Sequence, residues 1–395
     1  MTDHLGDLYV LDVGQGDSIV LHLETGQTIV VDCHSPNGET PRAQQLLERL
    51  EAEGRGTRDI DLLCLTHPDW EHYSGMDRLL EWVCRERPGA PAGRVWQVVL
   101  YPQDHYKALF QLSADWEAML RQLLNPRDHT TRQRLADFID GRDQFAILFK
   151  RLGEYGARRV TGFQLLGQIG EAKVFSLGPT EKIVGAHAEN VYKALVEDFA
   201  DQCENEAANA ISRVLWIHLG ETRILLTGDA TAEALEDAVN AYVESGEKAG
   251  PLRSDIVMAS HHGACEHSTP ELWEKVLKPN GIVVFSAGGS LSTRFPHRQT
   301  IGHVQSGCAS PQFACTSICE TLLTQSAHQP ASLPLVNSLN DDTLDAASLS
   351  EHSAVPWRQR SYHGTVKFEI FRANPPKFLP QRNPCLEAGS CPHHA

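Results

Sequence analysis

No stretch of the 395 residues stays apolar for the ~20 positions that a bilayer-crossing helix needs. The opening residues Met1–Asp7 are polar and acidic, without the charged-then-apolar pattern of a secretory leader. Without such a leader, the ten cysteines read as reduced thiols, and the expected compartment is cytoplasmic. Basic residues are in deficit, with 35 Lys and Arg against 51 Asp and Glu, a formal charge of −16. That argues against general electrostatic attraction to nucleic acid or to an anionic membrane. It does not exclude a phosphodiester substrate, because bound metal ions can supply positive charge locally. No repeat of solenoid length is present.

Hydrophobic residues make up 41% and charged residues 22%, an ordinary globular balance. The length allows two or three average domains or one large α/β domain with a sizeable core. Short apolar runs bounded by turn residues predict strands over Leu8–Val13, Ser18–Leu23, Thr28–Asp32 and Asp61–Leu65. The first two are joined through Gly14-Gln15-Gly16-Asp17, read as a tight turn. Helical spacing is seen over Arg42–Glu53 and Asp77–Arg87, which makes the layout α/β. Gly93–Leu100 reads as a strand, and Tyr106–Gly153 as largely helical, with Trp116, Met119, Leu120, Leu123 and Leu124 as packing residues. Further strands are expected at Ala172–Leu177, Ala210–Leu219, Thr222–Thr227, Asp255–Ala259, Gly281–Ser286 and Tyr362–Arg372. Helices are expected at Glu189–Cys203, Thr231–Glu244 and Glu271–Leu277. Cys308–Gln359 is rich in Ser, Ala, Pro and Asn with little periodicity, and reads as irregular.

The chemistry concentrates just past strand ends, where α/β folds build their sites. Thr66-His67-Pro68-Asp69-Trp70-Glu71-His72 follows the Asp61–Leu65 run and places two imidazoles and two carboxylates within six residues. Such a cluster is strained by its own charges unless a cation or proton relieves it, so a divalent metal or a pair of them is the economical reading. Asp32 ends another strand and would orient a loop or ligand rather than bind metal itself. Asp17 either ties the amides of its turn or reaches the site from behind. Asp229, His261, His262 and His297 also fall just after strands or in the loops that follow them. His297 is a candidate proton donor or phosphate contact, or else a loop histidine bonded to backbone. His218 alternates with apolar neighbours and reads as structural, and Cys33 and Cys64 as small core residues. Cys308, Cys315, Cys319, Cys385, Cys391 and His393 could be written as a structural zinc site, but their spacings of six, three and five intervening residues fit no standard pattern well.

With these motifs in order, the chain resembles the metallo-β-lactamase fold superfamily. Within it, the likeness is to the hydrolase domain of ComEC-type DNA-uptake proteins and their stand-alone bacterial relatives. The residues that carry the resemblance are Asp12–Ser18, Val31-Asp32, Thr66–His72 with Gly75, Leu225–Asp229, Ser260-His261-His262-Gly263, Pro296-His297 and His363-Gly364. It implies a four-layer αββα sandwich with metals at one edge between two sheets. The hydrolase domain would span 1–372, with a helical insertion at 101–170, an irregular insertion at 308–358 and a flexible Pro-rich tail at 373–395.

Carried over by position, the resemblance implies His67, Asp69 and His72 as metal ligands, Asp229 as the bridging carboxylate and one of His261 and His262 as the late ligand. Glu71 stands where the family usually has Asp, binding the second metal and positioning the water. Asp32 matches the acid that braces the site, and Asn209 stands where ComEC-like members also carry Asn. The commoner motif is His-x-His-x-Asp-His, so Asp69 and Glu71 depart from it, and the middle ligand His has no clear match, His187 being an unaligned candidate.

The expected cofactors are two divalent ions, Zn²⁺ or Mn²⁺ with Mg²⁺ as a further candidate, the extra carboxylate shifting preference from Zn²⁺ toward Mn²⁺ or Mg²⁺. Lying ~3.5–4 Å apart, they would polarise substrate oxygens and activate water. The expected activity is a phosphodiesterase or nuclease acting on nucleic acid or a nucleotide, with Glu71, Asp69 and His297 in catalytic roles. Two other readings compete: hydrolysis of another ester or of a cyclic nucleotide, and a non-catalytic subunit that binds a protein partner through the helical insertion.

Overall fold

The computed structural model describes residues 4–35, 39–86, 92–101, 147–148, 150–187, 205–246, 251–287, 295–316, 357–362 and 365–372. Within them the apolar runs pair into two large sheets. The first contains β1 (His4–Val10), β2 (Ile19–Leu23), β3 (Thr28–Val31), β4 (Leu62–Leu65), β5 (Val98–Leu100), β6 (Arg158–Arg159), β14 (Trp357–Tyr362) and β15 (Thr365–Phe371). Its order is β14-β15-β1-β2-β3-β4-β5-β6. The second contains β7 (Gln164–Ile169), β8 (Ala172–Gly178), β9 (Val214–Leu219), β10 (Thr222–Leu226), β11 (Ser254–Met258), β12 (Leu277–Phe285) and β13 (Gln312–Cys315). Its order is β13-β12-β11-β10-β9-β8-β7.

The two-residue period of the strands sorts their side chains between two faces. Leu8, Val10, Leu21, Ile29 and Leu62 of the first sheet meet Leu215, Ile217, Ile224, Ile256 and Ile282 of the second in one shared core. Each such side chain contributes about 1.5–3 kcal/mol by leaving water. The alternate residues face outward onto helices. Val20, Val30 and Leu63 pack on Leu46, Leu47 and Leu50 of helix Arg42–Ala52 and on Leu79 and Val83 of helix Met76–Cys84. Trp216, Leu225, Val257 and Val283 pack on helices Ala232–Glu244, Pro270–Val276 and Arg298–Gly307 through Leu235, Val239, Trp273 and Val304. The result is helix, sheet, sheet, helix, the expected mixed α/β layering.

Strand direction places the site. β3, β4 and β5 run parallel in the first sheet, and β10, β11, β12 and β13 run parallel in the second. The segments leaving β3, β4, β10 and β11 carry Asp32, His67, Asp229 and Ser260. Arg213 cross-ties the sheets at this level. Its guanidinium donates to the Leu100 carbonyl (2.6 Å) on β5 and to Ser176 Oγ (2.9 Å) and the Gly178 carbonyl (3.2 Å) on β8. It is wholly buried, and that burial pulls its pKa down to about 10.

Several expectations need correction. The connection from β1 to β2 is not a tight turn at Gly14–Asp17: the strands stop at Val10 and resume at Ile19. The longer loop folds over the site, where the Asp17 amide donates to the Glu71 carbonyl (3.1 Å). The helical insertion does not extend to 170. Residues 147–148 and 150–154 are helical, but β6 and β7 follow and complete one edge of each sheet. The stretch 308–358 is not wholly irregular, since β13 extends the second sheet and β14 begins at Trp357. Helix Arg298–Gly307 was not anticipated. The remainder of the helical insertion, the helix expected at Glu189–Cys203, the centre of the 308–358 stretch and the tail lie outside the described residues.

His218 illustrates how packing overrides charge. It lies on β9, against the rings of Trp216 (4.0 Å between centroids) and Phe175 (4.9 Å). Burial, with Arg223, Lys173 and Lys278 nearby, pushes its pKa down to about 3. Between pH ~6.5 and that value the unfolded chain binds a proton that the folded chain refuses, so stability falls as pH falls. His218→Leu is expected to narrow the gap in melting temperature between pH 7.5 and pH 5 by a few degrees in calorimetry.

Candidate metal centre

Asp32 follows β3 in the left-handed region (φ 56°) and is fully buried. Its Oδ1 accepts from the Thr66 amide (2.8 Å), and its Oδ2 accepts from the Thr66 hydroxyl (2.6 Å) and from His72 Nδ1 (2.8 Å). These bonds settle the tautomers. His72 gives its Nδ1 proton to Asp32, so Nε2 is the nitrogen that carries the lone pair whenever the ring is neutral. The Thr66 hydroxyl spends its proton on Asp32, so its lone pair receives the Nδ1 proton of His67 (3.1 Å), and His67 Nε2 is also bare.

Both bare nitrogens face Asp229. Its Oδ2 lies 3.3 Å from His72 Nε2 and 3.8 Å from His67 Nε2. Asp229 is held by its own amide, which donates to Ser212 Oγ (3.0 Å). Gly228 beside it has φ 50°, and a Cβ there would sit 2.4 Å from Ser212 Oγ. His262 completes the ring of donors, with Nε2 3.9 Å from Asp229 Oδ2 and 3.5 Å from Glu71 Oε2, and Nδ1 3.9 Å from Asp17 Oδ1. His67 Nε2, His72 Nε2, Asp229 Oδ1, Asp17 Oδ1 and both nitrogens of His262 are buried without a well-formed hydrogen bond. Six orphaned polar atoms around one point would be costly in a structural cluster. Lone-pair donors of this kind, His67, His72 and Asp229 lying within 4.8 Å of one another, fit a divalent cation.

The charges agree. Burial opposes ionisation of Asp229, but the imidazoles of His72 and His262 outweigh it and hold its carboxyl well below the usual range. Burial likewise opposes protonation of His72 and His262, yet Asp229 raises both, with Asp32 helping on His72, and His262 is pushed up to about 9. Burial, then the neighbouring His72, keeps His67 neutral, its pKa well below the ordinary value. Burial raises the carboxyl of Asp17. The field that favours protons on His72 and His262 is the field that attracts a dication.

The other predicted residues separate. Glu71 is half-buried beside His262, more exposed than the four residues of the central group. Asp69 lies in the loop before helix Trp70–Tyr73, and it belongs to none of the tight donor groups found among the described residues. Burial raises its carboxyl. Asp17 reaches the site rather than only tying its own turn, since a donor oxygen of its carboxylate groups with those of Asp32 and His72. Of the histidine pair, His262 faces Asp229, and His261 turns to His267, Nδ1 to Nε2 at 3.1 Å. His297 is not in the central group; its Nδ1 accepts from the Cys265 amide (3.1 Å), the backbone-bonded alternative. Asn209 is buried three residues before Ser212, in the segment that braces Asp229. His187 is buried but joins none of the donor groups among the described residues. The bonds of Thr66 to Asp32 and His67 and of Ser212 to Asp229 are contacts that motif reading did not supply, because a hydroxyl signals nothing until a partner stands beside it.

Residues 11–152 match the sequence model of the Metallo-beta-lactamase superfamily. That match supports the superfamily over the stretch carrying Asp32 and the His67–His72 loop, and the two large sheets are consistent with its fold. No curated protein matches the chain. Among solved structures the chain is similar to CmlA, a diiron β-hydroxylase from Streptomyces venezuelae, at 15% identity over 79% of this chain and 53% of that one, with a TM-score of 0.39. It therefore spans about half the length of CmlA. It is also similar to unliganded yeast PDE1, at 10% identity over 79% of this chain and 97% of that one, TM-score 0.39. A diphosphatase of the PhnP family matches at 13% identity over 76% of this chain and 81% of that one, TM-score 0.32.

Asp32→Ala removes the acceptor of three hydrogen bonds and leaves His72 buried beside Asp229 without its brace. The expected loss is about 2–4 kcal/mol of stability, read as a lowered urea midpoint. Divalent-metal affinity should fall ~10–100-fold in calorimetric titration.

Proposed function

We propose that the chain is a metal-dependent hydrolase that opens phosphodiester bonds, of the kind its ComEC-like motifs suggest. The observation that carries this reading is the convergence of bare, buried Nε2 atoms of His67 and His72 on the Asp229 carboxylate. His67, His72, Asp229 and His262 would hold the metal. When bound there, a divalent cation supplies Lewis-acid polarisation and lowers the pKa of water from ~15.7 to roughly 7.

The protein's own residues do the rest. Asp32 and Thr66 fix which nitrogen each histidine presents. Burial opposes the charge on Asp229, and the imidazoles of His72 and His262 outweigh it and keep the carboxylate ionised. Glu71, beside His262, stands where a carboxylate can orient a water and take its proton, and His262 holds Glu71 ionised despite its partial burial. Asp17 supports His262 from the opposite side. The net charge of the chain is unfavourable for broad nucleic-acid affinity, so binding of a phosphodiester would rest on this local centre.

A second reading has one observation in its favour. Asp69 stays outside the tight donor group, and no third imidazole from the loop before β9 joins it among the described residues. A reduced ligand set would suit a non-catalytic subunit. Metal content separates the two: tightly held metal supports the hydrolase, and a chain that takes up none favours the subunit.

The test pairs metal analysis with cleavage of single-stranded DNA, double-stranded DNA, cyclic nucleotides and a chromogenic phosphodiester. His67→Ala combined with Asp229→Ala is expected to lower hydrolysis by ~10³-fold or more with unchanged circular dichroism. Activity that survives in this double variant rejects the proposal. Cleavage of only a carboxylic ester or a cyclic nucleotide would move the substrate class.

A further inference from the structure

The turn after β11 places two successive non-glycine residues, His261 (φ 47°) and His262 (φ 58°), in the left-handed region. Such conformations cost of order 1–3 kcal/mol each and persist where surrounding structure demands them. Here the effect is to send the two imidazoles to different places. His262 enters the centre described above, and His261 meets His267.

His267 is only 5% exposed. It donates its Nδ1 proton to the Ala230 carbonyl (3.1 Å), so its Nε2 carries a lone pair. That lone pair accepts a hydrogen bond from His261 Nδ1 (3.1 Å), and the His261 ring offers its own lone pair to an ion there once its proton moves to Nε2. The carboxylate of Glu266, 58% exposed, brings a third donor atom, and the donor atoms of His261, Glu266 and His267 lie within 4.8 Å of one another. With metal–nitrogen bonds of ~2.05 Å, two nitrogens 3.1 Å apart subtend about 100° at a shared ion, close to a tetrahedral angle. The Ala230 carbonyl plays the part that fixes ring orientation behind a ligating histidine. Cys265 Sγ, 3.3 Å from Glu266 Oε2, braces the carboxylate. The outward-facing Glu266 leaves a side open to water.

We propose that His261, Glu266 and His267 form a second metal site, separate from the His67–His72–Asp229 centre, that takes zinc or another late first-row divalent ion. Two imidazoles and one carboxylate with an open position make up a donor set suited to these ions rather than to Mg²⁺ or Ca²⁺. The assignment does not depend on the chain being a hydrolase.

The test uses the full, tag-free chain, dialysed against micromolar Zn²⁺ and analysed for zinc per chain. The proteins are the wild type, Glu266→Gln, His267→Gln, and His67→Ala/Asp229→Ala with and without Glu266→Gln. The expected result is that the centre variant keeps one equivalent, that Glu266→Gln added to it removes that equivalent, and that Glu266→Gln or His267→Gln alone lowers the wild-type content by one. Glu266 is exposed, so its variant decides the matter even if His267→Gln fails to fold. Unchanged zinc content in Glu266→Gln, or an equivalent taken up only at millimolar zinc, overturns the site. Hydrolysis is not read, so the outcome stands whatever becomes of the functional proposal.

Discussion

A single buried carboxylate organises the centre. Asp32 accepts hydrogen bonds from the Thr66 amide, the Thr66 hydroxyl and His72, and so joins the end of β3 to the loop after β4. A wholly buried carboxylate is tolerable only when its lone pairs are met, and here three donors meet them. The consequence spreads outward. The proton on each of two histidines is assigned, each is left with a bare nitrogen, and both nitrogens point at Asp229, which arrives from the other sheet. The β3–β4 parallel pair makes this possible, because only parallel neighbours bring the ends of successive strands to the same edge.

The second sheet contributes by the same geometry. β10 and β11 are parallel, so Asp229 and His262 emerge side by side. The two sheets must then be held at a constant offset. The inner apolar core supplies most of that restraint, and Arg213 adds a directional one by donating to β5 and β8 at once. The fully buried guanidinium gives bonds from its two terminal nitrogens to carbonyls and a hydroxyl, while its Nε finds no partner among the described residues. It carries specificity for one sheet-to-sheet arrangement as much as stability. The loop between β1 and β2 closes over the result. Gly16, with φ 129°, passes so near the Glu71 carbonyl that a Cβ would lie 2.4 Å from it. Ser286 Oγ donates to the Gly16 carbonyl from beyond β12 (2.6 Å).

Much of this was legible in the residues. The period-two apolar runs located most strands, the glycines and acids after them marked where chains turn, and the crowding of His67, Asp69, Glu71 and His72 announced a centre. The edges were less legible. β6 is two exposed arginines, β7 is half exposed, and β13 is a short run of mixed residues, so none carries a strong pattern of its own. Each is a strand because a neighbour offers it a ladder. The loop over Gly14–Asp17 departs from its local pattern for a related reason: its glycines fit a tight turn locally, but Asp17 is drawn to Glu71 and His262 by contacts remote in sequence.

Residue order alone therefore determined the α/β class, the crowded His67–His72 loop and the list of acids and imidazoles from which a centre could be drawn, because these depend on periodicity and on neighbours a few positions apart. Only the tertiary structure decided how that list divides. It gathered His67, His72, Asp229 and His262, set Glu71 beside His262, left Asp69 aside, and turned His261 toward His267 and His297 toward the Cys265 amide. The division depends on distances of 3–4 Å between residues up to about two hundred positions apart, fixed by strand order, sheet offset and two left-handed residues, and local chemistry encodes none of these by itself.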